Sequence, residues 1–167
     1  MSKKQNGTIM WIMSIVIILG VVIGLLTMSA NKPGKYDAFA QCLANNGATF
    51  YGAYWCPHCQ ATKALFGRSA KKLPYVECAF TGRDGQTLAK EIIPQYKAGT
   101  YTGVYKTELD QAQASGTLDT WVPSQTQACV PHNIEGYPTW IFADGSRLSG
   151  EVSMETLSEK TNCAIAQ

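Results

Sequence analysis

Tyr51-Gly52-Ala53-Tyr54-Trp55-Cys56-Pro57-His58-Cys59-Gln60 is the stretch that decides how this chain is read. Two thiols three positions apart, preceded by a strand-like aromatic run and followed by helix-like residues, make a thiol–disulfide exchange motif. With Pro57 as the first helical residue, Cys56 stands at a helix N-terminus, where unpaired N–H groups and the helix dipole favour a thiolate. Cys59 then lies one turn later on the same face, within reach to resolve a mixed disulfide formed by Cys56. His58, between them, is positioned to stabilise the Cys56 thiolate, which makes Cys56 a good leaving group and the disulfide oxidising. Half a zinc site is the rival for the two thiols, but zinc needs about four ligands and no second closely spaced Cys or His pair is present. A c-type haem attachment would need His directly after the second Cys, where Gln60 stands.

Working outward, Ala48 to Tyr54 reads as a strand running into the motif, and 57 to about 66 as a helix stopped by Gly67. Upstream, Asp37 is expected to cap a helix whose apolar face is Phe39, Cys42 and Leu43 and which closes at Gly47. Downstream, Leu73 to Phe80 is a second strand, parallel to the first because a helix intervenes. Thr139 to Ala143 and Arg147 to Val152 read as a hairpin around a two-residue Asp144-Gly145 turn. Ser153 caps a last helix that carries Met154 and Leu157 and ends near Cys163. Thr81 to about Ser124 fits neither pattern and is too long for an ordinary loop, so it reads as an inserted subdomain. Its aromatics, Tyr96, Tyr101, Tyr105 and Trp121, suit either a peptide-binding lid or a small core of their own.

The chain has 167 residues and a formal net charge of +2, which suits one small domain and gives no electrostatic case for nucleic acid. Ile9 to Met28 is an uncharged run of 20 residues, long enough to cross about 30 Å of hydrocarbon as a helix. It reads as a signal-anchor helix over 9–28, with a cytoplasmic tail over 1–8 and a polar linker over 29–36. The rival is a cleaved signal peptide with Ser29-Ala30 at the cleavage site. All six cysteines lie beyond this run, and persistent disulfides belong to oxidising compartments, so 37–167 is expected outside the cytoplasm.

The order helix, strand, C-x-x-C at a helix start, helix, strand, helix, X-Pro, hairpin, helix resembles the thioredoxin fold. That is an α/β fold with a central mixed sheet flanked by helices, here preceded by one transmembrane helix. Gly136-Tyr137-Pro138-Thr139 supplies the proline the resemblance requires. One branch is closer still. Phe39-Ala40-Gln41-Cys42-Leu43, Tyr51 to Gln60, and Glu135-Gly136-Tyr137-Pro138-Thr139-Trp140 look like the thioredoxin-like domain associated with vitamin K epoxide reductase homologues. The string C-P-H-C also occurs in the DsbA family of thiol oxidases.

The resemblance implies a cis Tyr137-Pro138 bond facing the redox cysteines, with Trp55 and Pro138 flanking them as a platform for substrate backbone. It implies a second disulfide between Cys78 and Cys129, which would stabilise by roughly 4 kcal/mol on a disputed chain-entropy account. Cys42 and Cys163 are then left to pair. Four cysteines allow three connectivities, so that pairing is a preference, and Cys42 or Cys78 would serve equally as buried apolar residues. Electrons would pass from client thiols to Cys56 and Cys59, with no bound cofactor or metal, and then to a quinone-linked membrane reductase on a separate chain. Thioredoxins carry a buried Asp six residues before the first redox Cys. Phe50 stands there in this chain, which favours an oxidising site.

The expected function is therefore a membrane-anchored thiol–disulfide oxidoreductase that forms or rearranges disulfides in exported proteins. The alternatives are a reductase or isomerase fed by another membrane protein, and a non-catalytic module that holds clients through the insertion.

Overall fold

The computed structural model describes residues 3–30 and 32–165, with side chains for 10–25 and 32–165. It divides into two compact units, Met1–Gly34 and Lys35–Gln167.

The first unit contains helix α1, Lys3–Ala30. Its large apolar side chains between Met10 and Leu25 are exposed. Among the described residues no helix is long and apolar enough to cross a membrane. The described side chains of α1 cover only 10–25, fewer than the about 20 apolar residues a span requires. Both ends of the run 9–28 lie outside them.

The second unit is built on a four-stranded sheet of order β2-β1-β3-β4, with β1 at Thr49–Gly52, β2 at Tyr75–Glu77, β3 at Thr139–Ile141 and β4 at Arg147–Ser149. The β1–β2 pair is parallel, with Phe50 opposite Tyr75 and Gly52 opposite Glu77. It is joined through helix α3, Pro57–Phe66, as a parallel crossover demands. The β1–β3 and β3–β4 pairs are antiparallel, so the sheet is mixed. Helix α2, Asp37–Asn45, buries Phe39, Ala40 and Leu43, and Phe39 stacks on Phe66 of α3 at 5.8 Å. Helix α6, Met154–Thr161, buries Leu157. These elements share one core with Phe50 and Trp140, whose rings stack at 4.8 Å and 9°. The arrangement fits a thioredoxin-like fold.

Several local expectations are corrected. Both strands of the first pair are shorter than their apolar runs, β1 covering Thr49–Gly52 and β2 Tyr75–Glu77. Asp37 does not cap α2. It is the first helical residue, Tyr36 occupies the cap, and Asp37 Oδ1 is buried without a hydrogen-bond partner. The loop enclosed by the Phe142 N–H to Ser146 C=O bond is three residues, Ala143 to Gly145, not two; Gly145 N–H bonds Phe142 C=O, and Gly145 takes φ +77°. That is a type I turn closed by a left-handed glycine. Ser153 does cap α6, its hydroxyl accepting from Thr156 N–H at 3.1 Å. Between Cys129 and Pro138 the chain forms a 3-10 turn over Val130–His132 and no α-helix.

The segment between β2 and β3 carries helices α4, Asp84–Lys97, and α5, Lys106–Ala114. Ile92, Tyr105, Leu109, Ala112 and Leu118 form a separate core, with Tyr96, Tyr101 and Trp121 packed against it. The four aromatics of the insertion thus serve its own interior. Tyr105 shows this most clearly: its ring is fully buried against Trp121 and its hydroxyl donates to Gln125 C=O at 2.9 Å.

Candidate active site

Cys56 is the N-cap residue of α3, with extended backbone (φ −76°, ψ 118°), and Pro57 follows at the first helical position. A proline there loses nothing, because that N–H has no partner within the helix, and its fixed φ suits the first turn. Cys59 follows one turn later. Both thiols are free; Cys56 is 4% exposed and Cys59 fully buried.

The two thiols meet different surroundings. Burial, first of all, pushes the Cys59 thiol up to about 12 from an ordinary 9.0, with the hydrogen bond to Cys56 adding to it, while the backbone N–H side of the site and the Lys63 cation act the other way. Cys59 is therefore a thiol at neutral pH. Cys56 instead faces the loop before β3, its Sγ donating toward Tyr137 C=O at 3.6 Å. The Tyr137-Pro138 peptide bond is cis. Trp55, 60% exposed, meets the Tyr137 ring edge-on at 5.9 Å. The structure thus gathers Trp55, Cys56, Pro57, Cys59, Tyr137 and Pro138 from two stretches far apart in the chain. A groove of about 360 Å³ extends from there, lined among others by Trp55, Tyr137, Phe80, Val122 and Pro123.

His58 does not turn inward. Its Nδ1 pairs with Glu151 Oε1 at 2.6 Å, and the two side chains are 65% and 49% exposed. Glu151 was not singled out in the sequence, since nothing in its local pattern relates a residue after the hairpin to one in α3.

The remaining cysteines form two disulfides away from the motif. Cys42–Cys163 joins α2 to the end of α6 across 121 residues, and Cys78–Cys129 spans 51 residues. The second bridge lies at the base of the insertion, reinforced by Thr126, whose N–H bonds Cys78 C=O and whose hydroxyl donates to Glu77 C=O.

Three residues beside the motif also escaped the sequence reading. On Gly52 a Cβ would lie 2.8 Å from Cys59 Sγ and 2.9 Å from the Tyr75 ring, so a strand position is glycine because thiol and ring approach its backbone. Tyr75 donates its hydroxyl to Glu77 Oε2 at 2.8 Å, and Glu77 Oε1 accepts from Tyr54 N–H at 3.1 Å and Ala79 N–H at 3.0 Å. The carboxylate so ties β2 to the turn bearing Cys56. The alternation of Tyr75 and Glu77 along β2 places both on one face, a signal that means little until the neighbouring strand is known. Among the described residues, no group of three or more His, Cys, Asp or Glu could hold a metal ion.

Comparison with known proteins adds to this geometry. No protein-family model matches the chain. It is similar to a thiol–disulfide oxidoreductase. That protein, thiol-disulfide oxidoreductase LTO1 of Arabidopsis thaliana, is 35% identical over 131 residues. The match covers 78% of this chain and 25% of the relative, so the chain spans about a quarter of the length of the curated protein it matches.

Proposed function

We propose that this protein is a thiol–disulfide oxidoreductase acting through Cys56 and Cys59, anchored in a membrane by 9–28, with its second unit outside the cytoplasm, and that it forms or rearranges disulfides in exported proteins. The observation that carries the activity is the asymmetric pair: two free thiols at one helix start, Cys56 4% exposed and facing the Tyr137 carbonyl beside an exposed Trp55, and Cys59 fully buried a turn behind. An exchange enzyme needs one sulfur that clients can reach and one that waits. The similarity to a thiol-disulfide oxidoreductase supports the same reading. The two further disulfides suit an oxidising compartment, and the exposed apolar side chains of α1 suit a lipid environment.

Cys56 attacks or is attacked, forming the mixed disulfide with a client thiol. Cys59 resolves it, and no bound cofactor takes part. His58 tunes the Cys56 thiolate from the helix start, Tyr137 and Pro138 position client backbone, and the groove beyond Trp55 accommodates the flanking client residues. A quinone-linked membrane reductase, such as a vitamin K epoxide reductase homologue, serves as recycling partner. The client-holding alternative loses its main support, because the aromatics expected to grip clients fill the insertion's own core.

The test is trapping. A Cys59→Ala variant should accumulate mixed disulfides with client proteins through Cys56, and Cys56→Ser should abolish both trapping and dithiol oxidation. Oxidation persisting in Cys56→Ser sinks the proposal. Direction follows from potential: on the scale of known enzymes a value near about −120 mV marks an oxidase and one near about −270 mV a reductase.

A further inference from the structure

Cys59 poses a problem that its own helix does not solve. A fully buried thiol with its titration displaced far upward must lose a proton to attack a mixed disulfide, or gain one after being expelled from the Cys56–Cys59 bond. Water reaches a side chain with no exposed surface only when the site opens. A polar group of β2 borders the same space: a Cβ built on Gly52 would lie 2.8 Å from Cys59 Sγ and 3.4 Å from the Tyr75 hydroxyl oxygen, so thiol and hydroxyl both face the Gly52 backbone. That hydroxyl is committed to Glu77 Oε2 at 2.8 Å. Glu77, partly exposed, connects the pair to solvent.

We propose that Tyr75 and Glu77 form the proton path of Cys59, with Glu77 as acceptor and the Tyr75 hydroxyl as carrier. The inference rests on the exchange reading above. In resolution, the Cys59 S–H proton passes to the Tyr75 oxygen as the Tyr75 proton passes to Glu77 Oε2. The freed sulfur pair attacks Cys56 Sγ, the Cys56–Cys59 bond forms, the bond between Cys56 and the client sulfur breaks, and the client leaves as thiolate with the electron pair. Client oxidation is the reverse: the client thiolate attacks Cys56, Cys59 departs as thiolate, and the proton returns from Glu77 through Tyr75. Only sulfur changes oxidation state, and the proton count balances.

The charges around the path agree with it. Burial first, and then Glu77, hold the Tyr75 hydroxyl protonated, with Cys59 and Cys56 adding to the effect, so tyrosine relays a proton without standing as phenolate. Lys63 of α3 lies 3.3 Å over the Tyr75 ring, a cation that favours the departing thiolate. Tyr137 faces the same group from the β3 side, its hydroxyl held up by burial.

The experiment uses the full chain with a thionitrobenzoate group placed on Cys56 as mixed disulfide, and reads its release by Cys59 across pH. Glu77→Gln keeps an acceptor oxygen for Tyr54 and Ala79 N–H, and Tyr75→Phe keeps the ring between Phe50 and Lys63. Each variant should slow release about a hundredfold near neutral pH, the typical size of general acid–base assistance. The rates should converge on wild type at high pH, where hydroxide removes the proton directly. Release that matches wild type at all pH values, or that is slowed equally at all of them, overturns the proposal. Absence of release from wild-type protein overturns the exchange reading with it.

Discussion

Cys56 Sγ lies 3.6 Å from the carbonyl oxygen of Tyr137, a residue 81 positions away. Only a protonated thiol can donate there. The contact joins the start of α3 to the loop before β3 at the cis Tyr137-Pro138 peptide. On the proposed exchange reading, a client strand arriving beside Tyr137 would take that carbonyl as its backbone acceptor and leave Cys56 Sγ without this partner.

On the proposed exchange reading His58 should raise the reduction potential, because a ring N–H donor near the start of α3 stabilises negative charge on a reduced sulfur relative to the disulfide. His58→Ala is expected to lower the potential by about 30 mV or more, equivalent to about 1.4 kcal/mol. Equilibration with a glutathione redox buffer measures it. Glu151→Gln, which removes the exposed partner of His58, should change folding stability by less than about 1 kcal/mol.

Cys59 should resist alkylation. With burial moving its thiol from 9.0 to about 12, three units leave it roughly a thousandth of an ordinary cysteine's thiolate at pH 8. Iodoacetamide labelling of the dithiol protein, mapped by mass spectrometry, should modify Cys59 slowly until strongly alkaline pH. The sign for stability follows: the folded value is raised, so the stabilisation of the dithiol form is complete below pH 9 and is lost as pH rises through about 12. Rapid labelling of Cys59 at pH 8 would contradict its burial.

The two disulfides should contribute unequally. Chain-entropy reasoning assigns roughly 5 kcal/mol to a loop the length of Cys42–Cys163 and roughly 4 kcal/mol to one the length of Cys78–Cys129. Paired Cys→Ala variants in urea unfolding test this. The Cys78 and Cys129 pair should also loosen the insertion locally, seen as faster amide exchange in α4 and α5 than in the sheet.

Phe50 should not tolerate an acid. Its ring is fully buried, stacked on Trp140 and edge-on to Tyr75 at 5.2 Å. Phe50→Ala is expected to cost about 3–5 kcal/mol, and Phe50→Asp more, because a carboxylate there has only rings around it. Unfolding midpoints decide it. An Asp variant as stable as wild type would show that a polar partner reaches the position.

Much of this was legible in the residues. The motif, Pro57 and Gly67 set the limits of α3 because capping chemistry is local, and Ser153 set the start of α6 for the same reason. Pattern also gave the strands along the chain, the parallel first pair and the C-terminal hairpin, while the β1–β3 pairing that joins them came from the structure. It failed at Asp37, where an acid suited to capping became the first helical residue, and at Asp144-Gly145, where the turn lengthened by one residue to match the register of β3 and β4.

The sequence by itself determined which groups are available for the proposed chemistry: which two sulfurs stand three positions apart, which sits at a helix start, and which proline stands near them in the order of elements. Tertiary structure alone decided the environment of that chemistry. That His58 meets Glu151, that Cys59 loses all solvent, and that Tyr75 and Glu77 stand beside it follow from strand pairing between residues far apart in the chain. Burial and proton transfer depend on distances in space, which spacing along a sequence does not contain.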